Sequence, residues 1–299
     1  MLRTLSGEKL ARPSRAKWLR RTQLRSLAVS LRLIALAAGA LVIMAPIIWM
    51  LAASLEPMSE VTTFPPTLLP HPVQFSNYIR GFTFMPFARF FLNTLFIGFM
   101  SALGTLLAAS LAGYAFARLS APDKNVLFIL VLSTLMLPYT VTVIPQYILF
   151  RQLHWINTFF PLWVPEWFGG GPFFIFLFRQ FFMAFPLDLA DAARIDGVGP
   201  LQFLVRTVVP LSRPMLAAVF VLEFIYGWNQ YLWPLLVTSG GRDATVVMGI
   251  REMISAAQSF AVPQWDLIMA VSLVAMVPPV IVALVMQRWF VRGLTAGIN

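Results

Sequence analysis

Six apolar runs, each long enough to cross a bilayer, leave this 299-residue chain few folds to choose from. They lie approximately at 33–54, 88–116, 126–149, 159–183, 209–237 and 265–289. A spanning helix needs roughly 20 apolar residues. The first run also exceeds the roughly 7 to 15 residues of a signal-peptide core, so it reads as a retained span. In hydrocarbon, backbone polar groups must bond within the protein, and runs of this length do so as helices. The expectation is an all-α integral membrane protein with six transmembrane helices. Composition agrees, because only 11% of the residues are charged against roughly 25% in a soluble domain.

Charge sets the orientation. The net charge of +10 would suggest nucleic acid in a soluble protein, but most of the basic residues here flank apolar runs, as topology signals do. No nucleic-acid partner is expected. Residues 1–32 carry nine Lys and Arg (Arg3, Lys9, Arg12, Arg15, Lys17, Arg20, Arg21, Arg25 and Arg32) against the single acid Glu8. They read as a cytoplasmic leader, either a basic unstructured segment or a mildly amphipathic one over 8–25 lying on anionic lipid. With the N-terminus inside, Arg118, Lys124, Arg179, Arg194, Arg206, Arg213, Arg288 and Arg292 also fall inside. Only Arg80, Arg89, Arg151, Arg242 and Arg251 fall outside. Six spans place both termini in the cytoplasm, and 56–86, with Pro65, Pro66, Pro70 and Pro72, becomes an external loop without a long helix. The domain reading is therefore a leader at 1–32, a six-span domain at 33–294 and a short cytoplasmic tail at 295–299.

The same topology puts 186–214, PLDLADAARIDGVGPLQFLVRTVVPLSRP, in the cytoplasm. Asp188 is suited to cap a helix, with Asp191 three residues on facing the positive end of its dipole. Gly197 ends that helix after about two turns. Gly199 and Pro200 start a second helix, which Pro210 should end. Ala190, Ala192 and Ala193 leave little bulk on the first helix, so another protein's groove could approach its backbone.

Helix breakers mark the spans. Pro138 and Pro145 should bend the third. Gly169, Gly170, Gly171 and Pro172 interrupt the fourth, predicting a helix that starts near Pro172 and irregular or re-entrant chain over 161–171. In the fifth, FVLEFIYGWNQYLWPLL (220–236), a turn of roughly 100° per residue gathers Glu223, Tyr226, Asn229, Gln230 and Trp233 on one stripe. The same count puts Phe224, Ile225, Trp228 and Leu232 opposite. Amides and a carboxylate beside aromatic rings suit the hydroxyls and apolar faces of a sugar or polyol, which makes this a candidate substrate path. The competing reading is interhelical glue by Asn229 and Gln230. Glu223 is open among three roles: pairing with a base on a partner, lining the path, or carrying protons.

The spacing in the cytoplasmic loop, Asp191-Ala192-Ala193, three residues, Gly197, then Pro210, resembles the EAA loop of binding-protein-dependent ABC importer permeases. The chain differs from the usual pattern at Asp191 for Glu, Thr207 for Ile and Val209 for Leu. YAFARL (114–119), TLMLP (134–138), FLFRQFFM (176–183), YGWNQYLWPLL (226–236) and MQRWFVRGL (286–294) extend the resemblance over 33–294, to the carbohydrate or maltose-transport-like group and its glycerol-3-phosphate branch. The resemblance implies the maltose-type permease fold and an inner-membrane subunit of a bacterial or archaeal importer. The solute would be a sugar, a polyol or a glycerol-3-phosphate-like compound. The implied partners are a second homologous permease, an ATPase dimer gripping Asp191, Ala192, Ala193, Gly197 and Pro210, and an extracytoplasmic solute-binding protein.

What the chain lacks fits that division of labour. No GxxxxGK[ST] loop is present, so ATP and Mg are expected only in the partner ATPase. With no cysteine, and with His71 and His154 in outer loops, neither a metal site nor a catalytic base is indicated. The alternative function is an ion-coupled secondary transporter using Glu223. A membrane-embedded enzyme would need a convergent polar cluster that the sequence does not offer. Because the chain is free of cysteine, Gly197→Cys and His71→Cys each create a single thiol. A membrane-impermeant maleimide should label the first only in inverted vesicles and the second only in right-side-out ones.

Overall fold

The computed structural model describes residues 15–65, 70–259 and 263–296, and these residues are helical with no strand. Residues 1–14 and 297–299 and Pro66, all part of the sequence reading, lie outside them. Helix α1 (Arg15–Leu55) is followed by a short α2 (Met58–Val61) and by α3 (Ser76–Phe84). Next come α4 (Phe87–Arg118), α5 (Lys124–Ser133), α6 (Tyr139–Gln152), α7 (Phe160–Gly169) and α8 (Pro172–Met183). The loop region holds α9 (Leu187–Ile195), α10 (Pro200–Phe203) and α11 (Val209–Leu211), and the chain ends with α12 (Arg213–Asn229), α13 (Leu232–Val237), α14 (Val246–Ser259) and α15 (Trp265–Ala296). Three stretches are long and apolar enough to span a membrane: Val29–Leu55, Phe87–Arg118 and Trp265–Trp289. The count reaches six if each sharply bent helix pair is one span.

Helix α4 is the hub, packing against α7, α8, α12 and α14. Small residues let it do so, since lipid supplies no hydrophobic drive between helices and close backbone approach must replace it. A Cβ on Gly227 of α12 would sit 3.3 Å from the Cα of Gly98, so the two backbones meet there without side chains between them. A Cβ on Gly104 would collide with the indole of Trp167 in α7. Two aromatic clusters flank this hub. One joins Phe87, Phe90, Phe224 and Trp228 to α14 and α15, and the other joins Tyr114, Phe178 and Phe182 to Phe203 and Val208.

The segment between α1 and α4 carries more structure than an open loop. Asn77, fully buried in α3, donates from Nδ2 to the carbonyls of Ser54 (3.1 Å) and Glu56 (2.8 Å), which caps the end of α1. Arg80 reaches Asp266 at 3.6 Å, where the carboxylate is buried and sits in the first turn of α15, toward the positive end of that helix. Helix α14 was not anticipated. Its start is fixed by Asn93 Nδ2, which donates to the carbonyls of Arg242 and Ala244, and by Thr94 Oγ1, which accepts from the Val246 N–H.

Several expectations need correction. The basic leader is not separate from the first span, because α1 runs continuously from Arg15. By contrast, the apolar stretch of α1 from Val29 is largely exposed, and among its described side chains burial is confined to the end, at Ala52, Ala53 and Ser54. The third span is broken rather than bent, turning by 102° between Met136 and Tyr139, where Pro138 takes an extended conformation that starts α6. The 161–171 segment is helical as far as Gly169, since Pro161 occupies the first turn, where a missing N–H costs nothing. Gly170 and Gly171, both with positive φ, make the break, and α8 does start at Pro172. At the far end, α15 runs two residues past Leu294.

Replacing Gly104 with Val should force the Trp167 indole out of its seat. The expected cost is about 1–3 kcal/mol of overpacking, read as a lower thermal midpoint for the detergent-purified protein and a red-shifted tryptophan emission.

Candidate functional site

Helices α6, α7, α12 and α13 surround a cavity of about 900 Å³. Its polar wall consists of Tyr139 and Gln146 from α6, Glu166 from α7, Tyr226 and Asn229 from α12, and Gln230 at the break before α13. The break has a local cause. Gln230 is extended (ψ 131°) and Tyr231 is not helical, and Pro234, without an N–H, cannot carry the helix ladder back across this point.

Prolines also prepare the opposite wall. Pro165 cannot bond the carbonyl four residues before it, and that carbonyl, of Pro161, accepts from the Trp233 indole at 3.0 Å. Helix α13 is thus fastened to α7 through a group the proline left free. Helix α7 is fastened in turn to α4, by Trp167 Nε1 to the Met100 carbonyl (2.9 Å), Ser101 Oγ to the Leu162 carbonyl (3.1 Å) and Thr105 Oγ1 to Glu166 Oε2 (3.2 Å). The same device recurs in α15, where Pro279 frees the Ala275 carbonyl and Trp228 Nε1 takes it at 3.1 Å.

Of the stripe read from sequence, Tyr226, Asn229, Gln230 and Trp233 line the cavity and Glu223 does not. Glu223 is only 3% exposed and has no hydrogen-bond or ion-pair partner among the described residues. The 100° count is valid only to Asn229, where the helix stops, and the face that meets the cavity is turned toward Leu222 and Ile225. Ile225 and Leu232, expected opposite, therefore line it, whereas Phe224 and Trp228 do face the core. Asn229 Nδ2 bonds the Ile225 carbonyl of its own helix at 2.8 Å, and Gln230 Oε1 is buried without a partner. Among the described residues neither side chain bonds a neighbouring helix. Glu166, Gln146 and Tyr139 were missed. The signal for Glu166 was the WVPEW string itself, hidden once 161–171 was read as irregular chain. Glu223 is not an isolated carboxylate, because it lies within electrostatic range of Glu166.

The loop residues form a separate knob. Helix α9 is preceded by Pro186 in an extended conformation, so it begins two residues earlier than an Asp188 cap would allow. Asp188 falls in the first turn without a side-chain cap bond, and Asp191 instead pairs with Arg194 at 3.1 Å on the exposed surface. Gly197 (φ +70°) ends the helix as expected. Its N–H bonds the Arg194 carbonyl and that of Val198 bonds the Ala193 carbonyl, a paired closure that needs a left-handed residue at this point. Ala192 and Gly197 are exposed, with Ile195 beside them at 87%. Ala190 and Ala193 are half-buried and pack on the chain's own aromatic cluster rather than presenting a bare groove to a partner. The second helix runs through Pro210 to Leu211, because a π turn over Leu204–Val208 widens the helix ahead of the proline ring. It then turns by 81° into α12. Arg118, at the end of α4, holds the knob's root by donating to the carbonyls of Phe182 (3.0 Å) and Phe185.

Residues 104–296 match the family of binding-protein-dependent transport system inner membrane components. The chain belongs to that family. Relatives of the permease include the sn-glycerol-3-phosphate transport system permease protein UgpE of Yersinia pestis bv. Antiqua (strain Antiqua), 41% identical over 263 residues. The protein of the same name from Escherichia coli O1:K1 / APEC is 38% identical over 262 residues. Each alignment covers 86% of the permease and 92% of the relative. The fold matches a chain in the crystal structure of a bacterial ABC transporter involved in import of the acidic polysaccharide alginate. The TM-score there is 0.76 at 24% identity, covering 89% of the permease and 97% of that chain. A second match, TM-score 0.59 at 15% identity, covers 90% and 95% and is from an alginate ABC transporter in complex with a periplasmic protein bound to alginate pentasaccharide. The permease is thus an inner-membrane transport subunit of the carbohydrate group of ABC importer permeases, and not an enzyme. Among the described residues no cluster of acids or histidines is placed to hold a metal ion.

Arg118→Met removes two donors from the carbonyls at the end of α8, leaving the knob held by its chain and by the packing of Ala190 and Ala193. Limited trypsin digestion of the purified variant should cut at Arg194 several-fold faster than in the wild type, with the far-UV helix signal unchanged.

Proposed function

We propose that the permease is one of two transmembrane subunits of an ATP-driven bacterial importer for a carbohydrate-type solute: a sugar, a polyol or a glycerol-3-phosphate-like compound. It would cross the inner membrane six times with both termini in the cytoplasm, each bent helix pair forming one span. Its partners would be a homologous permease, an ATPase dimer that holds ATP and Mg, and an extracytoplasmic solute-binding protein. The names of its relatives support the solute class, and the alginate complex with a periplasmic protein supports the receptor.

The observation that carries the reading is a continuous mechanical route from knob to cavity. Gly197, Ala192 and Asp191 form an exposed contact surface, and Pro210 lies just before the bend into α12. Arg118 ties the base of the knob, at the end of α8, to α4; α8 joins α7 across the two glycines, and α7 holds Trp233 through the Pro161 carbonyl. Closure of the ATPases on nucleotide would push the knob and shift these helices as rigid bodies, changing the side from which the cavity is open. Tyr226, Asn229, Gln230 and Trp233 would then contact the passing solute.

Gly197→Trp should abolish uptake while all spans still insert, because a bulky L residue rarely adopts this φ and the open space beside Gly197 is where the ATPase would dock. Normal uptake in that variant counts against the coupling role. Gln230→Ala should lower uptake at least several-fold without loss of the assembled complex, and the reverse pattern would assign Gln230 to assembly. Uptake that survives ATP depletion and collapses with a protonophore would transfer the function to an ion-coupled carrier.

A further inference from the structure

Among the described residues the cavity wall carries a carboxylate, amides and hydroxyls that both donate and accept, and no cationic side chain. Glu166 presents a carboxylate with one oxygen already bonded to Thr105, and no lysine or arginine lines the space. Gln230 Oε1 is a buried acceptor without a donor. Asn229 commits one of its two amide N–H bonds to the Ile225 carbonyl, which leaves its oxygen and its second N–H free. The partnerless Glu223 lies behind this wall, within electrostatic range of Glu166. The Gln230 oxygen and the carboxylates ask for donors, and a buried acceptor left without one is costly.

A phosphate ester brings the opposite chemistry. Its oxygens are acceptors, and its charge would enter a low-dielectric space beside a carboxylate with no cation to compensate. A cation would satisfy the carboxylate but would leave the tyrosine hydroxyls of Tyr139 and Tyr226 without acceptors. Hydroxyl groups donate and accept together, and the Trp233 and Tyr226 rings suit the apolar face of a sugar or the carbon chain of a polyol. We infer that this permease passes an uncharged polyhydroxylated solute and discriminates against phosphate esters, with Glu166 as the specificity-determining residue. This inference rests on the importer reading and narrows its solute class away from the compound named in the relatives' descriptions.

The test uses the permease assembled with its partner permease and ATPases in detergent, without the solute receptor, so that the receptor's selectivity does not enter. Equilibrium dialysis with radiolabelled sorbitol, maltose, sn-glycerol-3-phosphate and glycine betaine should show the better neutral probe bound at least tenfold more tightly than either charged one. Glu166→Gln keeps an acceptor and removes the charge, so it should narrow the gap to sn-glycerol-3-phosphate at least threefold. Equal or tighter binding of a charged probe, binding of none of the four, or a gap unchanged by Glu166→Gln would each overturn the inference. Proteoliposome uptake with the receptor present judges the underlying reading separately: ATP-independent uptake would sink the importer assignment whatever the dialysis shows.

Discussion

In a bilayer, a carbonyl deprived of its helix partner has no water to turn to, and this fold turns that constraint into its fastenings. Pro165 releases the Pro161 carbonyl and Pro279 releases the Ala275 carbonyl, and an indole N–H from α13 or α12 occupies each. The two tryptophans, Trp233 and Trp228, lie five residues apart on either side of the Gln230 break, so the discontinuity that opens the cavity is pinned on both flanks. Without those bonds the break would leave the end of α12 and the short α13 attached by packing alone. The wide apolar rings fill space as well, with Trp228 stacked near Phe224 in one cluster and Trp233 beside Phe150 in another.

The helices were legible in the sequence because hydrophobic length is a strong signal, and the knob was legible because Gly197 and Pro200 have few alternative uses. What escaped was three-dimensional. A helical count along 220–236 centred the inward face on Glu223, whereas α12 turns Leu222 and Ile225 to the cavity, and the break after Asn229, which the count ignored, brings in Leu232. Glu166 was overlooked because proline and a glycine run nearby read as disorder of the helix, whereas Pro161 in a first turn is harmless. Helix α14 has too few consecutive apolar residues to register as a span, and its place depends on Asn93 and Thr94, about 150 positions earlier in the chain. Asp191 had a plausible capping role by spacing, but Pro186 started the helix early and left its carboxylate to Arg194.

Helix α4 links these parts. Its Gly98 admits α12, its Gly104 admits Trp167, its Thr105 holds Glu166 and its Arg118 closes on the end of α8. A single continuous helix therefore touches the cavity wall, the loop root and the contacts around Asn93. The three places share one helix rather than a chain of loops, the kind of connection that rigid-body switching requires.

Helix α1 stands apart from this economy. Its apolar length faces away from the rest of the chain, and only the neighbourhood of Ala52, Ala53 and Ser54 is seated, against α15 and beneath Asn77. A rod whose described side chains are buried at one tip leaves a long apolar face open to lipid or to a neighbouring subunit, so most of its cover has to come from outside the chain.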